Sequence, residues 1–214
     1  MDGVLAGSGG RKTCLQINFR CLILDMQRSA KSTFTPDEFL ALERVSLSKH
    51  EFFEGEIFSL AGASRNHNSI NRNLLSEIHQ GLKPSGSSCK VYNQDMRIHV
   101  HANGLFTYPD VVAVCEIERY LPHAELDTLL NPVFVAEILS DSTESYDRVK
   151  KFELYKGIPE FKEYLLVHSR RRLIERFNYS SEVWETTSCV EGDFSLLSLK
   201  ITLRVDDIYF DVPL

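Results

Sequence analysis

Two acidic residues of this sequence stand inside or beside stretches that are otherwise apolar. Asp110 follows Pro109 and directly precedes Val111–Val114, and Glu137 interrupts the apolar run 133–139. A buried carboxylate is costly unless it is paired or holds a cation. Carboxylates at the ends of neighbouring strands would offer hard oxygen ligands to Mg²⁺, which keeps several bound waters for chemistry. We therefore predict that Asp110 and Glu137 are a pair of metal ligands.

Each of these carboxylates also has a plainer explanation. Asp110 would suit a turn after Pro109, and Glu137 would suit an ion pair with an arginine. Two observations favour a catalytic role. The two carboxylates occur together, and Lys150 and Lys151 follow Glu137 by thirteen and fourteen residues on a predicted helix. A lysine at that position would reach a catalytic water or a phosphate group.

The length and composition indicate one folded domain. The chain has 214 residues, of which 43% are hydrophobic and 25% charged, as in a globular protein with a core. It lacks the roughly 18 consecutive apolar residues that a membrane span needs. Arg20 interrupts the apolar run 14–24, which argues against a secretory signal. We expect residues 1–25 to be a poorly ordered extension and residues 26–214 to form a single domain.

The cysteines give no pattern of a cross-linked or zinc-binding protein. Cys14, Cys21, Cys89, Cys115 and Cys189 are scattered, odd in number and without a Cys-x-x-Cys pair. We predict neither a disulfide framework nor a structural zinc site, and we expect Cys115 to be a small core residue. Reduced cysteines are typical of the cytoplasm, which is the predicted location.

Three segments have the local signals of helices. Residues 35–38, Thr-Pro-Asp-Glu, combine an N-cap, a first-turn proline and a capping-box acid, and predict a helix to about Arg44. Ser64 begins a second helix, which ends near Pro84. Its apolar residues fall on one stripe: Ile70, Leu74, Leu75, Ile78 and Leu82. A third helix is predicted over residues 144–156.

The remaining patterns predict strands. They are a hairpin over 50–61 that turns at Glu54-Gly55, two strands over 90–100 and 105–116, a buried strand over 133–139, an apolar strand over 163–167, an antiparallel pair over 171–179 and 182–189, and an edge strand over 199–205. Together the elements predict an α/β (α+β) fold, with a central mixed β-sheet flanked by helices and additional antiparallel strands. A doubly wound parallel sheet is not indicated.

Several stretches of the sequence resemble the Uma-type putative restriction endonuclease family of bacteria, a branch of the PD-(D/E)XK nuclease superfamily. The stretches span about residues 35–168, and the predicted C-terminal strand pairs also fit. They are residues 39–43, 51–57, 61–64 with His67 and Asn68, 108–112, 130–132, 137–140 and 147–155. Together they are specific, whereas the Pro-Asp pair alone would be worth little.

The resemblance implies a restriction-endonuclease-like fold, with a four-stranded mixed core sheet and metal-dependent phosphodiester hydrolysis at one edge. Asp110 and Glu137 would match the two acids of the superfamily motif and would bind Mg²⁺ or Mn²⁺. Leu139 departs from the motif, because it occupies the place of a lysine two residues after the second acid. The family supplies a lysine from the following helix, and Lys151 fits that role better than Lys150.

Five further residues are candidates for supporting roles. Glu51 or Glu56 would supply a third acid, although either would also suit a solvated hairpin. The resemblance marks His67, which a plain helix start would also explain. Asp147 precedes Lys151 by four residues, so the two would form at least an ion pair on one helix face. Tyr155 continues that face and would equally suit core packing.

The charge of the chain is unevenly distributed. The net charge of −6 argues against nucleic-acid binding by the whole surface, but residues 148–176 contain nine Lys and Arg against four Glu. Such a run is ordinarily a solvated face. With the resemblance, Arg148, Lys150 and Lys156 are expected to contact DNA phosphates, which position a duplex without reading its sequence.

Other functions stay open at this stage. The same fold would serve as a catalytically inactive DNA-binding or dimerisation module, which the missing motif lysine and the acidic net charge favour. A hydrolase of small phosphate esters is a third possibility, although neither common glycine-rich phosphate-loop motif occurs in the chain. A homodimer is expected because many nucleases of the superfamily pair to cut two strands.

Overall fold

The computed structural model describes residues 33–60, 62–84, 86–122, 127–141 and 143–214, which fall within one compact unit, Thr33–Leu214. The predicted extension 1–25 and the start of the predicted domain at residue 26 lie outside the described residues. The helices are α1 (Pro36–Val45), α2 (Arg65–Leu82), a π-helical segment (Tyr146–Lys151) that continues directly into α3 (Phe152–Tyr155), and α4 (Val205–Ile208). None of these helices is both long and apolar enough to cross a membrane.

The strands of the described residues form three sheets. In chain order they are β1 (His50–Phe53), β2 (Glu56–Ser59), β3 (Lys90–Asn93), β4 (Arg97–Val100), β5 (Leu105–Thr107), β6 (Val111–Val114), β7 (Thr128–Leu129), β8 (Phe134–Leu139), β9 (Glu163–His168), β10 (Ile174–Ser180), β11 (Val183–Cys189), β12 (Asp193–Leu196) and β13 (Ile201–Arg204). The largest sheet has six strands in the order β11-β10-β9-β8-β6-β3. A second sheet has the order β2-β1-β5-β4-β7, and β12 pairs with β13.

The six-stranded sheet is mixed, as the sequence predicted. Strands β8 and β9 are parallel, and their neighbours pair with them in the antiparallel direction. Both central strands are buried along their whole length, which explains why their sequences are almost continuously apolar. The predicted α+β class with a central mixed sheet, flanking helices and additional antiparallel strands is therefore confirmed.

The two faces of the six-stranded sheet carry separate hydrophobic cores. On one face, the apolar stripe of α2, which includes Ile70 and Leu74, packs against Ala136 and Ile138 of β8. On the other face, Val135 belongs to a core that includes residues of α3 and of the five-stranded sheet. Side chains alternate between the faces of a strand, so Glu137 points into the second core.

The helix starts follow from their capping residues. Thr35 and Glu38 form a capping box at α1, with Pro36 in the first turn. Ser64 caps α2 and accepts a hydrogen bond from the backbone N–H of His67 at 3.2 Å. Each cap satisfies backbone donors that the first helical turn leaves without partners. Both predicted helix starts are confirmed.

Four elements differ from the sequence predictions. The strand predicted over 90–100 is divided by a turn at 94–95. The strand predicted over 105–116 is divided by the bend at Pro109, which has no backbone N–H to donate. The helix predicted over 144–156 contains a π-helical segment, Tyr146–Lys151, that leads directly into α3. The predicted strand near 199–205 pairs with β12, which the sequence did not reveal.

Two cysteines form a disulfide, which the sequence analysis did not expect. Strands β3 and β6 are antiparallel, with Lys90 opposite Val114, so Cys89 and Cys115 are the next pair of neighbours and are bonded to each other. They are 26 residues apart in the sequence, and only the pairing of the strands brings them together. The prediction that the cysteines form no disulfide is wrong for this pair, and the cysteines therefore do not support a reducing location.

Candidate active site

The pairing of β6 with β8 brings Asp110 and Glu137 side by side. Val111 lies opposite Ala136, and Asp110 and Glu137 come next along the two strands. The backbone N–H of Asp110 donates to Glu137 Oε2 at 3.4 Å, and the backbone N–H of Ile138 donates to Asp110 Oδ2 at 2.8 Å. The two predicted metal ligands therefore share one edge of the sheet.

Glu137 is buried against residues of the helical segment that follows β8. Tyr155 Oη donates to Glu137 Oε1 at 2.7 Å, and Lys151 Nζ lies 3.2 Å from the same oxygen. Lys151 ends the π-helical segment and Tyr155 ends α3. In the superfamily motif the lysine follows the second acid by two residues. Here Lys151 comes from the following helical segment and still contacts the second acid, Glu137.

Lys151 is surrounded by carboxylates. Its Nζ lies 2.8 Å from Glu51 Oε1 and 3.3 Å from Asp147 Oδ1, in addition to Glu137. The hydroxyl of Thr107 donates to Glu51 and helps to hold it in this position. We call Glu51, Glu137, Asp147 and Lys151 the carboxylate–lysine cluster. It contains three acids around one ammonium group, and all four side chains are buried.

The pKa values in the cluster follow from this burial and charge. Burial raises the pKa of Glu137 to about 8, against the opposing attraction of the Lys151 ammonium. Burial also raises the pKa of Asp147. For Lys151, burial acts to lower the pKa, but the surrounding carboxylates outweigh it and raise the pKa well above its ordinary value. The cluster therefore keeps its lysine charged and resists ionisation of Glu137 and Asp147.

Asp110 is also held from α2. His67 Nε2 lies 3.1 Å from Asp110 Oδ2, and Asn71 Nδ2 lies 3.5 Å from Asp110 Oδ1. His67 Nδ1 is buried and has no hydrogen-bond partner within the part of the chain that the structure describes. The first two turns of α2 therefore meet the sheet edge at the proposed metal ligand.

Not all the predicted site residues come together. Glu56 begins β2, is exposed and makes no hydrogen bond or ion pair with the cluster. Of the two candidates for a third acid, Glu51 is the one that the fold places there. Asn71 and Thr107 were missed by the sequence analysis. The spacing of Asn71, four residues after His67 on the same helix face, was the available signal for it.

The three residues expected to contact DNA differ in how strongly other groups hold them. Arg148 donates to Glu175 at 2.8 and 2.6 Å and also to Glu144, and Glu175 in turn contacts His168. We call these four residues the arginine network. Lys156 pairs with Glu153. Lys150 is exposed, with its Nζ over the ring of Phe53, and is the one of the three that forms no ion pair with the described residues.

The fold and the site define a class of protein. A mixed sheet with two carboxylates at the edge of neighbouring strands is a restriction-endonuclease-like arrangement. The crystal structure of a putative nuclease belonging to DUF820 from Anabaena variabilis matches with a TM-score of 0.63 and 18% identity, over 81% of this chain and 96% of that one. At this level of identity the match shows that the two proteins share a fold.

The family follows from the sequence comparisons. The model of the Uma2 family, described as putative restriction endonuclease, matches residues 36–206, so the chain belongs to the Uma2 family. Two relatives from Synechocystis are the uncharacterized proteins slr1290 and sll1609. The first is 33% identical over 179 residues, which cover 82% of this chain and 90% of the relative. The second is 34% identical over 133 residues, which cover 62% of this chain and 73% of the relative. The resemblance seen in the motifs is thus confirmed.

Proposed function

We propose that this protein is a metal-dependent endonuclease that hydrolyses phosphodiester bonds of DNA. The observation that carries the proposal is the contact of Asp110 with Glu137 at a sheet edge, beside a buried lysine. The family description and the nuclease-like fold support hydrolysis of a nucleic acid in general terms. The metal and the DNA substrate are parts of the proposal.

The residues at the sheet edge fit a divalent cation. Within the described residues, no group of three His, Cys, Asp or Glu side chains has the arrangement of a metal centre. Mg²⁺, however, is commonly held by one or two carboxylates together with waters and substrate phosphate. Among the described residues, Asp110 Oδ1 has only the long contact to Asn71, so it keeps acceptor capacity. The surplus of carboxylates around Lys151 also favours an added positive charge.

Asp110 and Glu137 would hold the ion, Mg²⁺ or Mn²⁺. When bound, such an ion supplies Lewis-acid activation of water and compensation of the phosphate charge. The chain itself orients these ligands. Tyr155 fixes Glu137 through Oε1, and His67 and the Ile138 N–H fix Asp110 through Oδ2. Lys151 Nζ places a permanent positive charge beside Glu137, where it would stabilise charge developing on the phosphate.

The DNA would approach the edge that carries the two acids. Leu139 and His168 are partners at the ends of the parallel strands β8 and β9, so the loop after β9 lies at the same end of the sheet as Glu137. This loop carries three consecutive exposed arginines, 170–172. Together with Lys150 they would contact phosphates, and binding should therefore weaken steeply with added salt. A homodimer and a cytoplasmic location remain parts of this proposal.

The proposal is tested by incubating supercoiled and linear DNA with the protein and Mg²⁺ or Mn²⁺. We expect nicking or cutting that requires the metal and that falls by at least roughly 1,000-fold in Glu137→Ala, equivalent to about 4 kcal/mol of transition-state stabilisation. Glu56→Ala is the matched control, because it removes an exposed carboxylate outside the cluster. Circular dichroism would establish that each variant is folded.

The outcomes separate the two main candidates. Metal-dependent cleavage that Glu137→Ala loses and Glu56→Ala retains would support the endonuclease. Cleavage that persists in folded Glu137→Ala would come from a contaminant or another site. Salt-sensitive binding of DNA without cleavage by the wild type would favour the inactive binding module, for which the deep burial of Lys151, 7% exposed, is the supporting observation.

A further inference from the structure

A groove lies next to Asp110, between α2 and the turn that joins β3 to β4. Its volume is about 440 Å³, within the usual range of ligand sites. We call it the amide groove, because most of its polar lining consists of side-chain amides. The polar residues that line it include Asn68, Asn71, Arg72, Ser76, Asn93 and Gln94.

A single side chain connects this groove to the proposed catalytic edge. Asn71 is 8% exposed, and its Nδ2 donates to Gln94 Oε1 at 3.2 Å while lying 3.5 Å from Asp110 Oδ1. A group bound in the groove would therefore be one side chain away from the carboxylate. If a phosphodiester is hydrolysed at Asp110 and Glu137, as proposed above, the base of an adjoining nucleotide is the group that would enter the groove.

The turn that carries Gln94 is fixed before any ligand binds. Asn93 Oδ1 accepts from the backbone N–H of Asp95 at 3.1 Å, and the backbone N–H of Met96 donates to the Asn93 carbonyl at 3.0 Å. Lys49 Nζ donates to the carbonyl of Gln94 at 2.8 Å. A turn held in this way loses little conformational freedom when it binds a ligand, so more of the contact energy appears as affinity.

The two linked amides leave one donor and one acceptor unused. Gln94 Oε1 is occupied by Asn71, but Gln94 Nε2 and Asn71 Oδ1 have no hydrogen-bond partner among the described residues. In the major groove, adenine presents the acceptor N7 beside the donor N6, and an Asn or Gln amide recognises this pair with one N–H donor and one carbonyl acceptor. Gln94 Nε2 and Asn71 Oδ1 together offer the same donor and acceptor. Guanine presents two acceptors at the same positions and cannot satisfy Asn71 Oδ1.

We propose that the amide groove binds an adenine base next to the phosphate that the protein hydrolyses. Gln94 Nε2 donates to N7, and N6 donates to Asn71 Oδ1. The charge of the groove suits this ligand, since the lining includes Arg72 and no carboxylate from the described part of the chain. A nucleic acid can thus approach here although the whole chain carries a net charge of −6.

The experiment uses a library of DNA duplexes with randomised positions. One portion is digested by the protein with Mn²⁺, and the sequences around the cut ends are read. Another portion is bound to the protein without metal, recovered and sequenced. We expect adenine to be enriched at one fixed position within about two nucleotides of the cut, and the same base to be enriched in the bound fraction.

Gln94→Ala tests the assignment, and Gln80→Ala is its matched control. Gln80 is an exposed glutamine of α2 outside the groove lining. We expect the adenine preference to fall by roughly tenfold in Gln94→Ala, as for the loss of a paired contact to a base, and to persist in Gln80→Ala. A wild type that cuts without base preference, or a preference that Gln94→Ala retains, would overturn the assignment while leaving the endonuclease intact.

The bound fraction separates a failure of the groove from a failure of the enzyme. Adenine enrichment that depends on Gln94, in a protein that cuts no DNA, would support the base site and contradict the proposed hydrolysis. A bound fraction with no base enrichment, together with an absence of cutting, would overturn both.

Discussion

Two ion-pair clusters share one π-helical segment and differ in burial and in charge balance. Lys151 lies in the carboxylate–lysine cluster, is 7% exposed, and faces three buried acids. Arg148, three residues earlier, is 30% exposed and lies in the arginine network, where Glu175 binds it through two hydrogen bonds. The first cluster has buried acids in surplus, whereas the second is a partly solvated pair with additional partners.

The pKa values of the acids move in opposite directions in the two clusters. Burial raises the pKa of Glu137 to about 8, and the hydrogen bonds from Arg148 lower the pKa of Glu175 to about 2. A carboxylate that is paired and near solvent needs no further cation. A buried carboxylate that competes with two others for one lysine is stabilised by any added positive charge. The contrast therefore supports the proposal that a metal ion binds at Glu137 and not at Glu175.

The largest expected difference is in the stability of the matching lysine and arginine variants. Lys151→Met removes the only cation of the carboxylate–lysine cluster and leaves three buried acids without it, so we expect unfolding to require roughly 3–5 kcal/mol less. Arg148→Met breaks a partly exposed pair, and about 1 kcal/mol is expected. Urea denaturation at neutral pH measures both. Equal losses in the two variants would mean that burial does not distinguish the clusters.

A smaller effect is expected from a divalent cation. Mn²⁺ or Mg²⁺ at a hundredfold excess over its dissociation constant should stabilise the folded protein by about 2.7 kcal/mol, which is a rise in Tm of several degrees for a chain of this size. The measurement is a thermal melt with and without the metal. Glu137→Gln should lose the rise, and Glu175→Gln should keep it. A rise that survives in Glu137→Gln would place the cation elsewhere.

The two clusters should affect the pH dependence of the free energy of unfolding in different pH ranges. The pKa of Glu137 rises from an ordinary 4.5 to about 8 on folding, so its contribution is fully present below pH 4.5 and is lost as the pH rises through 8. The pKa of Glu175 falls from 4.5 to about 2, so its contribution is present above pH 4.5 and is lost as the pH falls through 2.

Denaturation between pH 5 and 8 should therefore show a decline on the order of 3 kcal/mol that Glu137→Gln reduces. Glu175→Gln should instead change the profile between pH 2 and 4.5. If Glu137→Gln left the slope between pH 5 and 8 unchanged, another group would be responsible for it.

The sequence contained enough information to single out Asp110 and Glu137, which the fold places side by side. Asp110 and Glu137 interrupt apolar strands, and the cost of burying a carboxylate makes such positions conspicuous. Lys151 was predicted only with the help of the family resemblance, because the motif position is occupied by Leu139. Glu51 and Glu56 could not be separated, since the choice depends on how the β1–β2 hairpin packs on the helical segment.

Other features depend on strand register, which short patterns do not specify. The bond between Cys89 and Cys115 follows from the pairing of β3 with β6, and nothing in the spacing of the cysteines indicates it. The contact of Gln94 with Asn71 has the same origin, because Gln94 is an exposed turn residue that approaches Asn71 only in the folded chain. Turn residues with no apolar pattern around them are the hardest to assign from sequence.

The π-helical segment also affects how the spacing of the site residues should be compared between relatives. Asp147 belongs to the carboxylate–lysine cluster and Tyr155 contacts it through Glu137, although Asp147 and Tyr155 are eight residues apart. In an ordinary α-helix, two side chains eight positions apart point in directions that differ by about 80°. Two side chains seven positions apart differ by only about 20°. The wider π turn absorbs the additional residue, so removal of exposed Val149 would leave both side chains on one face. A relative with a seven-residue spacing would thus build the same cluster on a plain α-helix.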